Sequence, residues 1–92
     1  DIQHVVEEFY KVKHSDLVGS NRSRNIVYPR QIAIYLCRQL LDLPYNDIGK
    51  KFNRDHSTAM HSVASVEEML KDNRGVQEEI EALQKIISEY SE

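Results

Sequence analysis

Residues 47–63 read D-I-G-K-K-F-N-R-D-H-S-T-A-M-H-S-V, and few folds can accept that run. Ile48 and Phe52 stand four apart, so on a helix they share one face. Gly49 puts a small residue beside them. Asn53 follows where the chain must turn, and Asn tolerates left-handed backbone better than most residues. Asp55 then offers a side-chain oxygen to cap a second helix. The apolar positions of that helix, Ala59, Met60, Val63 and Val66, recur at helical spacing. The pattern predicts a helix-turn-helix. Its second helix opens with His56, Ser57 and Thr58, short polar groups of a kind that reach base edges in a DNA major groove.

The flanking chain is also helical in pattern. Ile2, Val5, Val6, Phe9 and Val12 form one apolar stripe. Ser15 or Asp16 is placed to cap a short turn through Leu17 and Val18. Residues 19–25, G-S-N-R-S-R-N, hold no apolar side chain and read as an exposed basic loop. Pro29 is expected in the first turn of a long helix marked by Ile32, Tyr35, Leu36, Leu40 and Leu43. Pro44 ends that helix, and Pro44 or Tyr45 starts the next. The second helix of the motif is expected over about 56–71, closed by D-N-R-G at 72–75 with Gly75 near the C-cap. Val76, Ile80, Leu83, Ile87 and Tyr90 make a last stripe, with Glu78, Glu79 and Glu81 on its outer face. No strand pattern or repeat appears. The fold class is all-α, a small bundle of five to six helices containing a helix-turn-helix. Its 92 residues form a single domain over 1–92, expected to be cut from a larger protein.

Charge decides between partner classes only when it is read locally. The chain carries −3 overall. Residues 11–61 carry nine Lys and Arg against four acids, a local +5, while the segments on either side are acidic. A ligand responds to the field within about 8–10 Å, the Debye length. An acidic protein can therefore present one basic face. No apolar run is long enough to span a membrane. The lone Cys37 excludes an internal disulfide and fits a reducing, cytoplasmic setting. Its apolar neighbours point to a buried, inert thiol. His56 and His61 stand five apart and diverge around a helix, and no Cys pair completes a metal site. Three glycines supply no phosphate loop, and no nucleophile elbow is present, so no enzyme is read here.

Three blocks then carry a resemblance. I-Q-H-V-V-E-E-F-Y-K-V-K opens the chain, R-S-R-N-I-V-Y-P-R-Q spans 22–31, and I-G-K-K-F-N-R-D-H-S-T-A-M-H spans 48–61. In that order they resemble the C-terminal DNA-binding domain of the DnaA family of bacterial replication initiators. The resemblance implies binding of double-stranded DNA at DnaA-box-like sites by an isolated monomer. It implies Arg22 in an AT-rich minor groove, and phosphates held by Ser23, Arg24, Arg38, Thr58 and His61. Arg30 and Gln31 would open a Pro-Arg-Gln helix at the DNA face. Asp55, His56 and Ser57 would read bases, with Tyr45 and Asn46 close to the backbone or a base. No cofactor is implied for this span. ATP would belong to an ATPase domain of a parent initiator, and regulatory proteins are possible partners. The departures are a single Asn53 where relatives often have Gly-Gly, Ser57 for the commoner Thr, Ala59 for Val, and Tyr28 where a basic residue often sits. All four bear on sequence preference. Two other readings of the same residues are a transcription regulator with a different operator and a protein-interaction module docking through its acidic last helix.

Overall fold

A computed structural model describes residues 1–90 and contains six helices. They are α1 (Ile2–Tyr10), α2 (His14–Val18), α3 (Arg24–Leu41), α4 (Tyr45–Lys51), α5 (His56–Asp72) and α6 (Arg74–Tyr90). Among the described residues there is no strand. The last two residues of the expected 1–92 domain lie outside the described residues.

The middle of α3 is the axis of the bundle. Ile32, Ala33, Ile34, Tyr35, Leu36 and Cys37 are all buried, so this helix is covered on every side rather than along one stripe. Helices α1, α2, α4 and α5 pack against it, and α6 closes over α1 and α5. Phe52, Ile48, Leu17, Val66 and Leu83 complete the core. Burial pushes the Cys37 thiol up to about 11, as a desolvated neutral thiol requires.

Several expectations about boundaries and faces need correction. Helix α3 begins at Arg24, not at Pro29. The Ser23 carbonyl accepts from the N–H groups of Ile26 and Val27, at 2.9 and 2.8 Å, and Ile26 buries its side chain. Pro29 is then the sixth helical residue. Its ring satisfies the helical φ, and its missing N–H costs only the bond to Asn25, an exposed residue. At its other end α3 stops at Leu41, because Asp42 turns left-handed at φ 53° and donates back to the Arg38 carbonyl. Leu43 therefore lies outside the helix, and Leu40 is exposed.

Gly75 does not end a helix. It lies in the first turn of α6, and the break is the single residue Asn73, whose Oδ1 accepts from the Val76 N–H at 3.1 Å. Asp16 likewise acts from inside α2, where its carboxylate accepts from the Lys13 N–H at 2.9 Å. Glu79 is not on the outer face. Its Oε1 accepts from both the Tyr10 and Tyr28 hydroxyls, at 2.7 and 2.8 Å, which ties α6 to α1 and α3. The two rings meet edge to face, 5.6 Å apart. Burial, then the bond to Glu79, pushes the Tyr28 hydroxyl up to about 12.

Candidate nucleic-acid interface

The helix-turn-helix is built from α4, a four-residue turn and α5. Ile48 and Phe52 are completely buried. The Phe52 N–H donates to the Ile48 and Gly49 carbonyls, both at 3.2 Å. Asn53 then takes φ 57°, the left-handed conformation that its place in the sequence requires. This reversal lets the Arg54 N–H reach the Gly49 carbonyl at 2.7 Å. The turn passes so close to α4 that a Cβ on Gly49 would sit 2.5 Å from the Arg54 carbonyl oxygen. Only glycine leaves room.

Asp55 caps α5, with Oδ1 accepting from the Thr58 N–H at 2.8 Å. That bond holds the Asp55 carboxyl below the usual carboxylate range. With the cap fixed, Ala59, Ser62, Val63 and Val66 face the core. Asp55, His56, Ser57, Thr58 and His61 are exposed. Met60, expected with the core stripe, is 45% exposed. One helical step from buried Ala59 is about 100°, which carries Met60 onto the flank.

The basic loop is held by backbone contacts, not by packing. Asn21 accepts from the Ser23 N–H at 2.8 Å, a local turn that leaves Arg22 and Ser23 exposed. Arg24 is exposed as the first residue of α3. Arg30 does not open the helix; it is the seventh residue of α3 and is only 6% exposed. Its Nε donates to the Leu17 carbonyl at 3.1 Å, and its Nη2 donates to those of Asp16 and Asn21 at 2.6 and 2.9 Å. Arg54 works on the same loop from the other side. Its Nη1 donates to the carbonyls of Phe52 and Asn53, at 3.0 and 3.2 Å, and to that of Val18 at 3.5 Å. Its Nη2 donates to the Gly19 carbonyl. Burial, and then the nearby Arg54 charge, depress the Arg30 pKa.

Between loop and turn lies an open groove of about 610 Å³. Ser20, Arg22, Asn53 and Thr58 line it together with the two clamping arginines. The loop and the start of α5 thus share one surface. Two other clusters stand apart. The Arg38 guanidinium lies over the Tyr45 ring, 4.5 Å from its centroid, and donates to the Leu43 carbonyl at 2.9 Å. Asn46 is exposed beside it, in the first turn of α4. Gln31 and Arg24 line a second groove with Tyr28 and Met69, on another side of α3.

The role of Arg54 is not legible from its place at the head of the Arg-Asp-His run at 54–56. The available signal was the left-handed turn at Asn53. A reversal of this kind leaves peptide carbonyls without helical partners, and a neighbouring guanidinium is a natural donor to them. Gln3 was also missed; its Nε2 donates to the Lys51 carbonyl at 3.0 Å and ties α1 to the end of α4. Nothing local in the sequence signals that contact.

Comparison with known proteins yields one family. A model of the bacterial DnaA protein helix-turn-helix matches residues 1–66. The chromosomal replication initiator protein DnaA of Lachnoclostridium phytofermentans is 48% identical over 85 residues, which cover 91% of this chain and 19% of that protein. DnaA of Rhizobium meliloti is 42% identical over 90 residues, with 97% and 19% covered. DnaA of Rickettsia rickettsii is 46% identical over 88 residues, with 95% and 19% covered. The chain spans about a fifth of the length of these relatives.

Proposed function

The chain belongs to the family of bacterial DnaA helix-turn-helix domains, and from that premise we propose that it binds double-stranded DNA at DnaA-box-like sites in the initiation of chromosomal replication. One observation supports this above the rest. The exposed polar start of α5 and the exposed Arg22 loop flank one groove, held by arginine-to-carbonyl bonds. Such an arrangement suits a recognition helix in the major groove and an arm in the adjacent minor groove.

Roles follow from chemistry and exposure. The Asp55 cap uses Oδ1, and Oδ2 accepts from a cytosine amino group. His56 and Ser57 project from the first turn of α5 toward base edges. Arg22 enters a narrow, AT-rich minor groove, where the negative potential is strongest. Ser23, Arg24, Thr58 and His61 hold phosphates. Arg38 and Tyr45, stacked as a pair with Asn46 beside them, meet the backbone at the start of α4. Gln31 contributes on the Arg24 side. Arg30 uses its donors on carbonyls at the end of α2 and on that of Asn21, and so supports the Arg22 loop without touching DNA.

The test is a fluorescence-anisotropy titration of a labelled duplex carrying TTATCCACA against a scrambled one. The box should bind more tightly, and equal affinity would sink the specificity claim. With about six phosphates neutralised, log K falls with log salt at a slope near −5, at roughly −0.9 per phosphate. Arg22→Ala should weaken binding and relax preference at the AT-rich end. An unchanged titration removes Arg22 from the interface.

A further inference from the structure

Arg54 is the one member of the Arg-Asp-His run to which no contact with DNA has been given. Its surroundings explain why. One guanidinium donates to carbonyls on two separate segments: Val18 and Gly19 at the root of the basic loop, and Phe52 and Asn53 in the turn of the helix-turn-helix. The two segments are 35 residues apart along the chain at Arg54 and Gly19. We propose that Arg54 is a positioning residue, a clamp that fixes the minor-groove arm in register with the recognition helix, and that it is not a phosphate contact.

The chemistry favours a clamp over a phosphate ligand. A guanidinium is planar and carries five N–H donors in a fixed fork, so it can bridge carbonyls that point from different strands of chain. Lysine keeps the charge but is a compact point donor on a flexible stem. A residue that only neutralises a phosphate tolerates Arg→Lys; a fork between two segments does not. Arg30 holds the same loop from below, through Asp16, Leu17 and Asn21. Together the two arginines bond to carbonyls on both sides of Ser20. Arg22, which takes part in neither clamp, is then aimed by the backbone alone.

The minor-groove role of the loop rests on the function proposed above, so the test has one arm that needs no DNA. In the free protein, hydrogen exchange at the Ser23 amide, now bonded to Asn21, should accelerate in both Arg54→Lys and Arg54→Ala, with α3 and α5 still protected. Unchanged exchange in both variants overturns the clamp. In the second arm, duplex affinity should fall in both variants to the same extent, roughly ten- to hundredfold, because one or two loop residues must be re-ordered on binding. Preference at the AT-rich end should be lost, and the salt slope should keep its wild-type value. If Arg54→Lys binds like the wild type while Arg54→Ala loses about 0.9 from the slope, Arg54 is a phosphate contact and the proposal is wrong. If the unaltered chain binds no duplex, the proposed function fails, and the exchange arm alone decides for or against the clamp.

Discussion

Gly49→Ala is the sharpest test of how this helix-turn-helix is held together. On a generic helix the change stabilises by about 1 kcal/mol, since alanine is the better helix former. Here the added Cβ would stand 2.5 Å from the Arg54 carbonyl oxygen and 3.1 Å from the carbonyl carbon and oxygen of Asp55. Favourable carbon contacts lie near 3.5–4.0 Å, so the turn must retreat by about 1 Å. All three atoms are backbone, and no side chain can swing aside. Overpacking of this kind costs about 1–3 kcal/mol. The retreat also stretches the 2.7 Å bond from the Arg54 N–H to the Gly49 carbonyl, worth about 1 kcal/mol. Set against the helix gain, the net loss is about 2 kcal/mol, or about 8–16 °C in Tm for a domain this size. Urea unfolding followed by far-UV circular dichroism measures it. Gly75→Ala is the control. It is also helical, but its Cβ meets only the Asn73 side-chain oxygen, at 3.3 Å. Its stability should match the wild type or exceed it by up to about 1 kcal/mol. If Gly49→Ala matches or exceeds the wild type, the close approach of turn to helix is not what fixes the motif.

Arg30→Lys should cost about 2–4 kcal/mol, because lysine cannot bridge the Asp16 and Leu17 carbonyls at the end of α2 and the Asn21 carbonyl of the loop as the Arg30 fork does; a melting temperature like the wild type's would show that those carbonyls find other donors. Glu79→Ala should cost about 2 kcal/mol by leaving the Tyr10 and Tyr28 hydroxyls without their acceptor. Adding Tyr28→Phe to it should cost less than the two changes separately, and full additivity in denaturant titrations would argue against a shared network. Stability should also fall with alkali. The Cys37 thiol is raised to about 11 and the Tyr28 hydroxyl to about 12 in the folded chain, so both keep protons that the unfolded chain releases. Their contribution is complete below the unfolded pKa values, near 8.5 and 10, and is lost as pH rises through the folded ones. Urea midpoints should therefore drop between about pH 8.5 and 11, less steeply in Cys37→Ala; a flat profile in the wild type would contradict the burial of both groups.

Periodicity and punctuation made much of this protein legible. Most of the α1 and α6 stripes, the core pair Ile48 and Phe52, the left-handed Asn53 and the Asp55 cap follow from spacing and local backbone preference, but Val12 lies beyond the left-handed Lys11 that ends α1 and Tyr90 stays exposed. Each is decided within one or two turns of chain, so the sequence carries the whole cause. Helix ends were less legible where a single residue was read as decisive. Pro29 permits a helix start but does not impose one, and buried Ile26 extended α3 by a further turn. Gly75 permits a stop, but the Asn73 cap needed only one residue to begin α6.

Charged and polar side chains depended most on the tertiary structure. Arg30, Arg54 and Glu79 look from the sequence like solvent-facing charges, and all three turn toward partners 9–69 residues away. A long side chain has enough reach and rotamer freedom to face several ways, and its direction depends on which unpaired carbonyls or hydroxyls other segments bring near it. The apolar pattern by itself determines that the chain folds as a bundle of five to six helices and marks most of the faces they bury, although Leu40, Met60 and Tyr90 on its stripes stay exposed. Only the assembled bundle decides that two arginines hold the basic loop beside the recognition helix, because the carbonyls they bond become neighbours only when α2, α3 and the α4–α5 turn have packed together.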